Sequence, residues 1–524
     1  MSVVGSNPIN EILKIRRTTW EELELERMDR RGMHPKSDVW KAKYKEPRSA
    51  DIDGVGALPE YWYWASVAQV GFVISGQTPK GVADVEGEAG IPWFKVGDMN
   101  TEGNELFIHK AKTYLTVGQL NSLKLHLQPE GTVIFPKRGG AIATNKKRVL
   151  FQPSSYDLNT MGVFPVGVEK KYFWYWFQTV DLGAIADGAI VPQINHGDIE
   201  PLLIPVAPPE QQKRIVAKIE ELFSHIDAGI ASLVKAKQLL KQYRQSVLKA
   251  AVTGELTKQW REDNKDKLEP ASQLLERILQ ERRQKWEAQQ LEQFKAKGKV
   301  PKDDRWKGKY KLEEPNPHME FESPKEWAVS TIESITDPVR VICYGILMPK
   351  ENVENGVLYV KVKDVKFGRV LVDQLNRTVP EIAAKYARAS LAEGDLLLTI
   401  RGTYGRTAIA PKELNGGNIT QDTVRISAIE PILNEYLIIF VDSVVAQQYF
   451  KVVARGVAVK GVNVQDVRNM NVPIPSVEEQ KEIIKLVDQK ITTIAHVEKA
   501  LEEQLLKAGK NKQSILASAF SGRL

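Results

Sequence analysis

The sequence predicts a mixed α/β fold in which two α/β domains are separated by an antiparallel coiled coil of two long helices, with internal pseudo-twofold symmetry. Three observations support it: the chain repeats at half its length, each copy carries a heptad pattern of apolar residues, and each copy contains short strand-like runs. The string SVLKAAVTGEL from Ser246 recurs as SILASAFSGRL from Ser514, 268 positions later in a chain of 524 residues. This interval indicates a duplication.

The repeat extends beyond these strings and keeps one order of parts in each copy. WKAKY from Trp40 recurs as WKGKY from Trp306, whereas the stretches 99–129 and 365–392 show no convincing match. One scaffold therefore holds two different inserts. The predicted segments are a basic helical leader (1–57), a first α/β domain (58–207), a central long helix (208–257), a repeated helical leader (258–323), a second α/β domain (324–475) and a distal long helix (476–524).

The two leaders share a tryptophan-bearing pattern, since Trp20-Glu21 is repeated as Trp286-Glu287. Apolar residues from Leu274 to Leu279 fall on one helical face, which Ile12 and its neighbours echo weakly. Two interpretations stay open. Each leader is either a docking arm for a partner subunit or a helix tethered to the surface of its own domain.

Each α/β domain contains apolar runs that predict strands and one aromatic run that predicts a helix. TVIF from Thr132 and DLLLTI from Asp395 follow glycine turns and have strand composition. The runs Tyr172–Phe177 and Tyr436–Phe440 predict a matched helix in each copy.

Structural roles are predicted for four further residues at matched positions in the two copies. Trp62 and Trp327 each follow a proline at the entry to a domain, and we expect both to be buried in the core. Asn195 and Asn463 precede short polar segments, and we expect each to cap or turn into the next element.

The long helices are predicted from apolar residues at steps of three and four. In the first copy these are Ile215, Ile219, Leu222, Ile226, Ile230, Leu233, Leu240, Tyr243 and Val247. In the second copy they are Ile483, Val487, Ile491, Ile494, Leu501, Leu505 and Ile515. Because each seam needs a partner, we expect the two helices to pair. The alternative is that each helix lies on its own domain.

Composition and the absence of certain motifs limit the classes of function that are open to this chain. The chain has 73 Lys and Arg against 66 Asp and Glu, a net charge of +7 that permits nucleic-acid binding, and its single cysteine excludes an intrachain disulfide. It lacks a signal-peptide pattern and an apolar run of about 18 residues, so we expect a soluble, cytoplasmic protein without membrane association. No P-loop, dinucleotide-binding or amino-methylating string occurs, and the histidines lack metal-site spacing. We therefore expect a non-catalytic chain without metal or cofactor.

The basic residues near the glycine turns are candidates for DNA contact. Glycines let the backbone approach phosphates, and arginine can bind either a phosphate or the O6/N7 edge of guanine. The candidates in the first domain are Lys95, Lys137, Arg138, Lys146, Lys147 and Arg148. Those in the second are Lys361, Lys363, Arg401, Thr403, Tyr404, Arg406 and Lys460, with Arg455 nearby. The alternative for each is an ordinary charged turn.

Several strings together resemble the specificity subunit of type I restriction-modification systems. They are the entry string LPEYWYWASVAQV, the triplet Val96-Gly97-Asp98, and the paired junctions IPVAPPEQQKRIVAKIEELF and VPIPSVEEQKEIIKLVDQKI. The likeness runs from about Leu58 to Leu524, and the junction is its most specific part because it occurs twice.

This resemblance implies a function that the spacing alone does not give. It implies that each α/β domain is a target recognition domain reading one half of a bipartite, asymmetric site in double-stranded DNA. It also implies that the coiled coil sets the spacer and docks two methyltransferase (modification) subunits, which restriction/translocase subunits join. S-adenosylmethionine, ATP and Mg are then expected on the partner subunits. Two rival hypotheses are a stand-alone DNA-binding or architectural protein and a coiled-coil scaffold.

Overall fold

The structure is a computed structural model that describes residues 8–82, 89–188, 191–312, 316, 319, 321–366, 368–457 and 459–524. The chain divides into two compact units. Unit 1 comprises residues 1–233 and 503–524, and unit 2 comprises residues 234–502. Two long helices belong partly to each unit: α7 (Pro209–Val252) and α14 (Val477–Phe520), both of 44 residues.

Unit 1 begins with α1 (Pro8–Arg30) and continues with an α/β domain. Its other helices are α2 (Val67–Val70), α3 (Val117–Ser122), α4 (Lys170–Phe177), α5 (Leu182–Ile185) and α6 (His196–Ile199). Its strands are β1 (Tyr63–Ser66), β2 (Gly71–Ser75), β3 (Ile91–Phe94), β4 (Phe107–Ile108), β5 (Tyr114–Leu115), β6 (Val133–Pro136), β7 (Arg148–Leu150), β8 (Ser155–Tyr156), β9 (Thr160–Pro165) and β10 (Leu203–Val206). They form sheets in the orders β2-β9-β6-β7-β4, β5-β3-β8 and β1-β10.

Unit 2 repeats this plan. Its other helices are α8 (Lys258–Asn264), α9 (Ala271–Ala296), α10 (Pro380–Lys385), α11 (Asn434–Asp442), α12 (Val444–Val453) and α13 (Val464–Arg468). Its strands are β11 (Ala328–Thr331), β12 (Cys343–Tyr344), β13 (Val357–Val360), β14 (Val365–Lys366), β15 (Arg369–Val370), β16 (Asn376–Thr378), β17 (Leu396–Thr399), β18 (Thr407–Ile409), β19 (Asn418–Ile419), β20 (Thr423–Ile426) and β21 (Asn471–Ile474). The sheet orders are β12-β20-β17-β18, β16-β13-β19, β11-β21 and β14-β15.

Apolar residues from the sheets and the long helices form the main core of each unit. In unit 1, Phe135 of β6 and Phe177 of α4 share a core with Ile219 of α7 and Leu516 of α14. In unit 2 the corresponding core joins β17 and β20 to α7 and α14. The predicted strands after the glycine turns and the matched aromatic helices are thus present, and the mixed α/β fold class is confirmed.

The two long helices pack antiparallel through the heptad seam. In unit 2, Arg244 Nη2 donates to Glu498 Oε2 at 3.1 Å and Lys237 Nζ donates to Glu502 Oε1 at 2.7 Å, so numbers fall along one helix as they rise along the other. In unit 1, Asp227 of α7 accepts from Lys512 of α14. The predicted list of seam residues was wrong at one position, because Tyr243 is 48 % exposed. The next residue, Arg244, is partly buried and faces Glu498 of the other helix.

A buried glutamine fixes the start of each long helix on its domain. Gln212 Nε2 donates to Ala207 O at 2.8 Å, and its Oε1 accepts from Glu169 N, which precedes α4. In unit 2, Gln480 makes the equivalent bonds with Pro475 O and with the N–H of Leu433, which precedes α11. This explains the glutamine that both junction strings share.

Trp62 and Trp327 are buried, as expected, and each is tied to the first turn of a long helix. Trp62 Nε1 donates to Gln211 Oε1 at 3.0 Å, and Trp327 Nε1 donates to Glu479 Oε2 at 2.8 Å. The Glu479 carboxylate also accepts from Arg261 Nη1 at 2.6 Å. Charge-assisted bonds of this kind satisfy the lone pairs of a buried carboxylate, and removing one partner would leave a buried group without its hydrogen bond.

Both leader helices pack against the α/β domain that follows them. Arg282 of α9 donates to Thr336 O at 3.1 Å and to Tyr310 Oη at 3.1 Å, and the Trp286 ring stacks on that of Trp306 with centroids 6.0 Å apart. In unit 1, Arg16 donates to Ala68 O and to Tyr44 Oη, and Trp20 stacks on Trp40 at 5.9 Å. This packing is what the tethered-helix interpretation predicts, and docking of a partner subunit by the leaders stays a prediction.

Among the described residues, no single helix is long and apolar enough to cross a membrane. The bent pair formed by α11 and α12 passes such a test by length and composition only. Leu437 and Phe440 of that pair are fully buried in the core of unit 2.

The leader attachment gives a stability prediction with a neighbouring control. Arg282→Met should lower the free energy of unfolding of unit 2 by about 2–4 kcal/mol, because Thr336 O and the Glu333 carboxylate lose a buried donor. Arg283→Met, next along the helix, removes a side chain that is 56 % exposed and should change it by less than about 0.5 kcal/mol. Denaturant unfolding of both variants measures the difference, and equal effects would contradict the packing role of Arg282.

Candidate DNA interface

The turn after β17 forms one wall of a basic cleft in unit 2. Gly402 and Gly405 have φ of +70° and +82°, and a Cβ on Gly405 would lie 2.7 Å from the Gln447 amide. The positive φ, more than the contact with the flexible Gln447 side chain, favours glycine at position 405. Arg401 and Arg406, at either end of the turn, are exposed.

The cleft has a volume of about 1020 Å³. Its described lining includes five cationic side chains, one carboxylate and several neutral polar groups. The cations are Lys363, Lys366, Arg401, Arg406 and Arg455, the carboxylate is Asp422, and the polar residues include Thr403, Gln421 and Asn463. Such a surface has a positive potential that attracts a phosphate backbone and a small set of groups able to contact base edges.

Four of the seven candidates in the second domain line this cleft, namely Lys363, Arg401, Thr403 and Arg406. The other three lie nearby or serve the fold. Lys361 Nζ lies 5.1 Å from the centroid of the Tyr359 ring, and Lys460 is exposed, with its carbonyl accepting from Gly402 N at 3.2 Å. Tyr404 is partly buried and packs against the core of unit 2, which leaves less of its ring to stack on a base.

Unit 1 presents the equivalent loop after β6. Arg138 is exposed, and Lys137 Nζ donates to Ser75 Oγ at 3.0 Å. Partial burial, with a contribution from the neighbouring Arg138 charge, lowers the pKa of Lys137. Lys95 Nζ lies 5.2 Å from the centroid of the Trp93 ring, and the Lys146 ammonium donates to Asn100 Oδ1.

Two of the unit 1 candidates make hydrogen bonds within the domain. Lys147 is buried, and its Nζ donates to Val180 O at 2.7 Å and to Asn145 Oδ1 at 3.0 Å. Burial lowers the pKa of Lys147 to about 8. Arg148 Nη2 donates to Met99 O at 2.9 Å. The basic run was read as one exposed loop, but β7 begins at Arg148 and turns part of the run inward.

Sequence reasoning missed several polar residues at these sites. Lys366, Gln421 and Asp422 line the unit 2 cleft. Asn159 in unit 1 corresponds to Asp422, since each carbonyl accepts from the equivalent backbone N–H. The signal was present in the repeat, because Asn159-Thr160 and Asp422-Thr423 match at the interval of 263 residues that also relates Arg138 to Arg401. Asn195 and Asn463 cap helices as expected: Asn463 Oδ1 accepts from Gln465 N, and Asn195 N donates to Asp198 Oδ2.

No group of three or more potential metal ligands occurs among the residues that the structure describes. The single cysteine, Cys343, is buried, and burial raises the pKa of its thiol.

Comparisons with known proteins agree with this chemistry. Residues 324–507 match the family model of the type I restriction modification DNA specificity domain. The chain is 28 % identical over 488 residues to the specificity subunit of the type I restriction enzyme EcoBI of Escherichia coli, covering 92 % of this chain and 90 % of that protein. It is 25 % identical over 352 residues to the EcoKI specificity subunit of Escherichia coli strain K12, covering 66 % of this chain and 62 % of that one.

A solved chain from work on complex assembly and conformational transition of the type I R-M system has the same fold. It aligns with a TM-score of 0.59 at 15 % identity, covering 90 % of this chain and all of that one. Duplicated α/β domains with basic loops on a frame of long helices suit a protein that binds DNA sequence-specifically. Over most of its length the chain is similar to the specificity subunits of type I restriction-modification systems, and residues 324–507 match their DNA specificity domain.

Two substitutions distinguish a surface cation expected to bind DNA from a buried cation expected to stabilise the domain. Arg138→Ala should weaken binding to a mixed-sequence DNA duplex about tenfold and reduce its salt dependence by about one counterion, because an exposed cation of the candidate interface is lost. Lys147→Met should leave affinity within about twofold but destabilise unit 1 by about 1–3 kcal/mol, because Val180 O loses its donor. Fluorescence anisotropy at several salt concentrations and thermal unfolding test both. Weaker DNA binding by a folded Lys147→Met protein would contradict the assignment.

Proposed function

We propose that each α/β domain reads one half of a bipartite, asymmetric site in double-stranded DNA. The observation that carries this proposal is a repeated backbone frame with unlike side chains. The turns at Arg138 and Arg401 are equivalent, yet the residues around them differ in charge and polarity. Equal frames suit equivalent placement on a duplex, and unlike side chains suit different base sequences.

The proposed DNA contacts are the exposed or partly exposed polar side chains near these two turns. In unit 1 they are Lys95, Lys137, Arg138 and Lys146. In unit 2 they are Lys361, Lys363, Lys366, Arg401, Thr403, Arg406, Arg455 and Lys460. Most of these are cations, and cations at protein–DNA interfaces serve largely to bind phosphates and set orientation.

The long helices have two proposed roles: they set the number of base pairs between the half-sites, and they dock two methyltransferase subunits. A continuous helix of 44 residues is about 66 Å long and resists bending when paired through a heptad seam. The repeat offers two equivalent surfaces, which suits two copies of one partner.

Catalysis is proposed to reside in the partner subunits. The methyltransferase subunits would hold S-adenosylmethionine and methylate adenine, and restriction subunits would use ATP and Mg. This chain would contribute specificity and assembly without catalysing a step. The absence of a recognisable nucleotide-binding or amino-methylating string in the sequence supports that division.

Mapping of methylated adenines tests the division of the site into halves. Genomic DNA from cells that express this chain with its methyltransferase subunit should carry one bipartite motif. Replacing residues 58–207 by the corresponding domain of another specificity subunit should change one half-site and leave the other half and the spacer length unchanged. A change in both halves, or a continuous motif in the wild type, would reject the proposal.

Lengthening the helices tests their role in spacing. Seven residues inserted after Leu233 in α7 and seven after Glu502 in α14 keep the heptad phase and add about 10 Å, or about three base pairs at 3.4 Å each. Methylated motifs should then have a longer spacer with the same half-site sequences. A seven-residue insertion in α7 alone is the control, because it mismatches the pair and should lower methylation. An unchanged spacer in the doubly lengthened protein would exclude the role.

A further inference from the structure

The two α/β domains hold one polar residue in the same place by the same backbone hydrogen bond. Lys137 N donates to Asn159 O at 2.8 Å in unit 1, and Ile400 N donates to Asp422 O at 2.8 Å in unit 2. Each residue precedes the first threonine of a strand, Thr160 of β9 or Thr423 of β20. Asn159 and Asp422 therefore occupy equivalent positions beside the basic turn.

A second repeated contact closes the same frame. Ile194 N donates to Lys137 O at 2.8 Å, and Val462 N donates to Ile400 O at 2.7 Å. These bonds hold the segment before each capping asparagine against the basic turn. Since the backbone is alike in both domains, chemical differences at this site come from side chains.

Asp422 is unusual among its neighbours because it brings a negative charge into a cleft with five lining cations. A carboxylate there opposes the approach of phosphate, so a surface built for phosphates alone would gain by losing it. Its side chain is 35 % exposed and lies 3.9 Å from that of Arg401, which is 58 % exposed. An ion pair of this exposure and length adds little to stability, so fold maintenance is a weak reason for the charge.

The chemistry of the carboxylate suggests what it contacts. An ionised aspartate only accepts hydrogen bonds, and the major-groove group that it suits is the N4 amino group of cytosine. The adjacent cations can hold the backbone while Asp422 meets a base edge. A negative charge in a basic cleft then serves discrimination between bases.

Asn159 presents different chemistry at the equivalent position. Its Nδ2 donates to Asp157 Oδ2 at 3.2 Å, which fixes the orientation of the amide. The amide oxygen and the second Nδ2 hydrogen then form an acceptor and donor pair, which matches the N6/N7 edge of adenine.

We propose that Asn159 and Asp422 are equivalent specificity-determining residues. Asp422 accepts a hydrogen bond from a cytosine in the half-site read by the second domain, and Asn159 pairs with an adenine in the half-site read by the first. This inference rests on the proposed function, in which each domain reads one half-site.

The test is a reciprocal exchange, with methylated-adenine sequencing of genomic DNA from cells that express each variant with the methyltransferase subunit. Asp422→Asn should shift one position of the second domain's half-site from cytosine toward adenine, by about tenfold in preference. Asn159→Asp should shift one position of the other half-site from adenine toward cytosine. In each variant the opposite half-site and the spacer should stay unchanged.

Asp373→Asn is the matched control for charge, because Asp373 is an exposed aspartate of the same domain that does not line the cleft. It should leave the motif unaltered. A uniform rise or fall in methylation by Asp422→Asn, with the motif sequence unchanged, overturns the proposal, because a purely electrostatic or structural role predicts that result. Complete loss of methylation by a variant that melts like the wild type also overturns it.

A second variant, Asp422→Ser, keeps the proposal testable if the Asp422→Asn protein is unstable. If Asp422→Asn lowers the melting temperature of the purified complex enough to abolish methylation, Asp422→Ser should relax selection at the same single position, and an unrelaxed motif overturns the proposal. A wild-type chain that yields no bipartite motif would instead defeat the proposed function itself. The two failures are therefore distinguishable.

Discussion

The buried glutamine at the start of each long helix is the contact on which the arrangement of each unit depends. Gln212 and Gln480 each bridge the chain entering the helix and the chain entering the aromatic helix of the domain. An amide both donates and accepts, so one side chain satisfies a buried backbone carbonyl and a partly buried backbone N–H. Because the helix start is fixed on the domain, the basic turn of that domain has a defined position relative to its own part of the helix.

The tryptophan contacts reinforce this junction with different chemistry in the two units. Unit 1 pairs Trp62 with the neutral Gln211, whereas unit 2 pairs Trp327 with the Glu479 carboxylate and adds Arg261. The buried carboxylate is stable because its donors replace the water that it loses. The same backbone position thus tolerates a charge where a second donor is available. A repeated frame can diverge in side chains without losing its shape.

The limits of sequence reasoning are clearest for side chains whose exposure depends on distant contacts. Lys147 belongs to a run of three cations that reads as a surface loop, yet its ammonium is buried against Val180 O. Tyr243 fits the heptad spacing but lies outside the seam, and Arg244 lies inside it because Glu498 is opposite. In the leaders, the role of Arg282 follows from Thr336 and Tyr310, which are far from it in sequence. Local periodicity carries no information about these partners.

The sequence by itself determined the duplication, the two long helices, the mixed α/β class and the likeness to specificity subunits, because repeats, heptads and glycine turns are local or periodic features. Only the tertiary structure decided which cations face solvent, that the leaders pack on their own domains, and that Asn159 and Asp422, which the repeat already aligns, lie beside the basic turns. Exposure and these positions depend on hydrogen bonds between separate segments of the chain, such as that between Ile400 and Asp422. Those bonds form only when the sheets assemble.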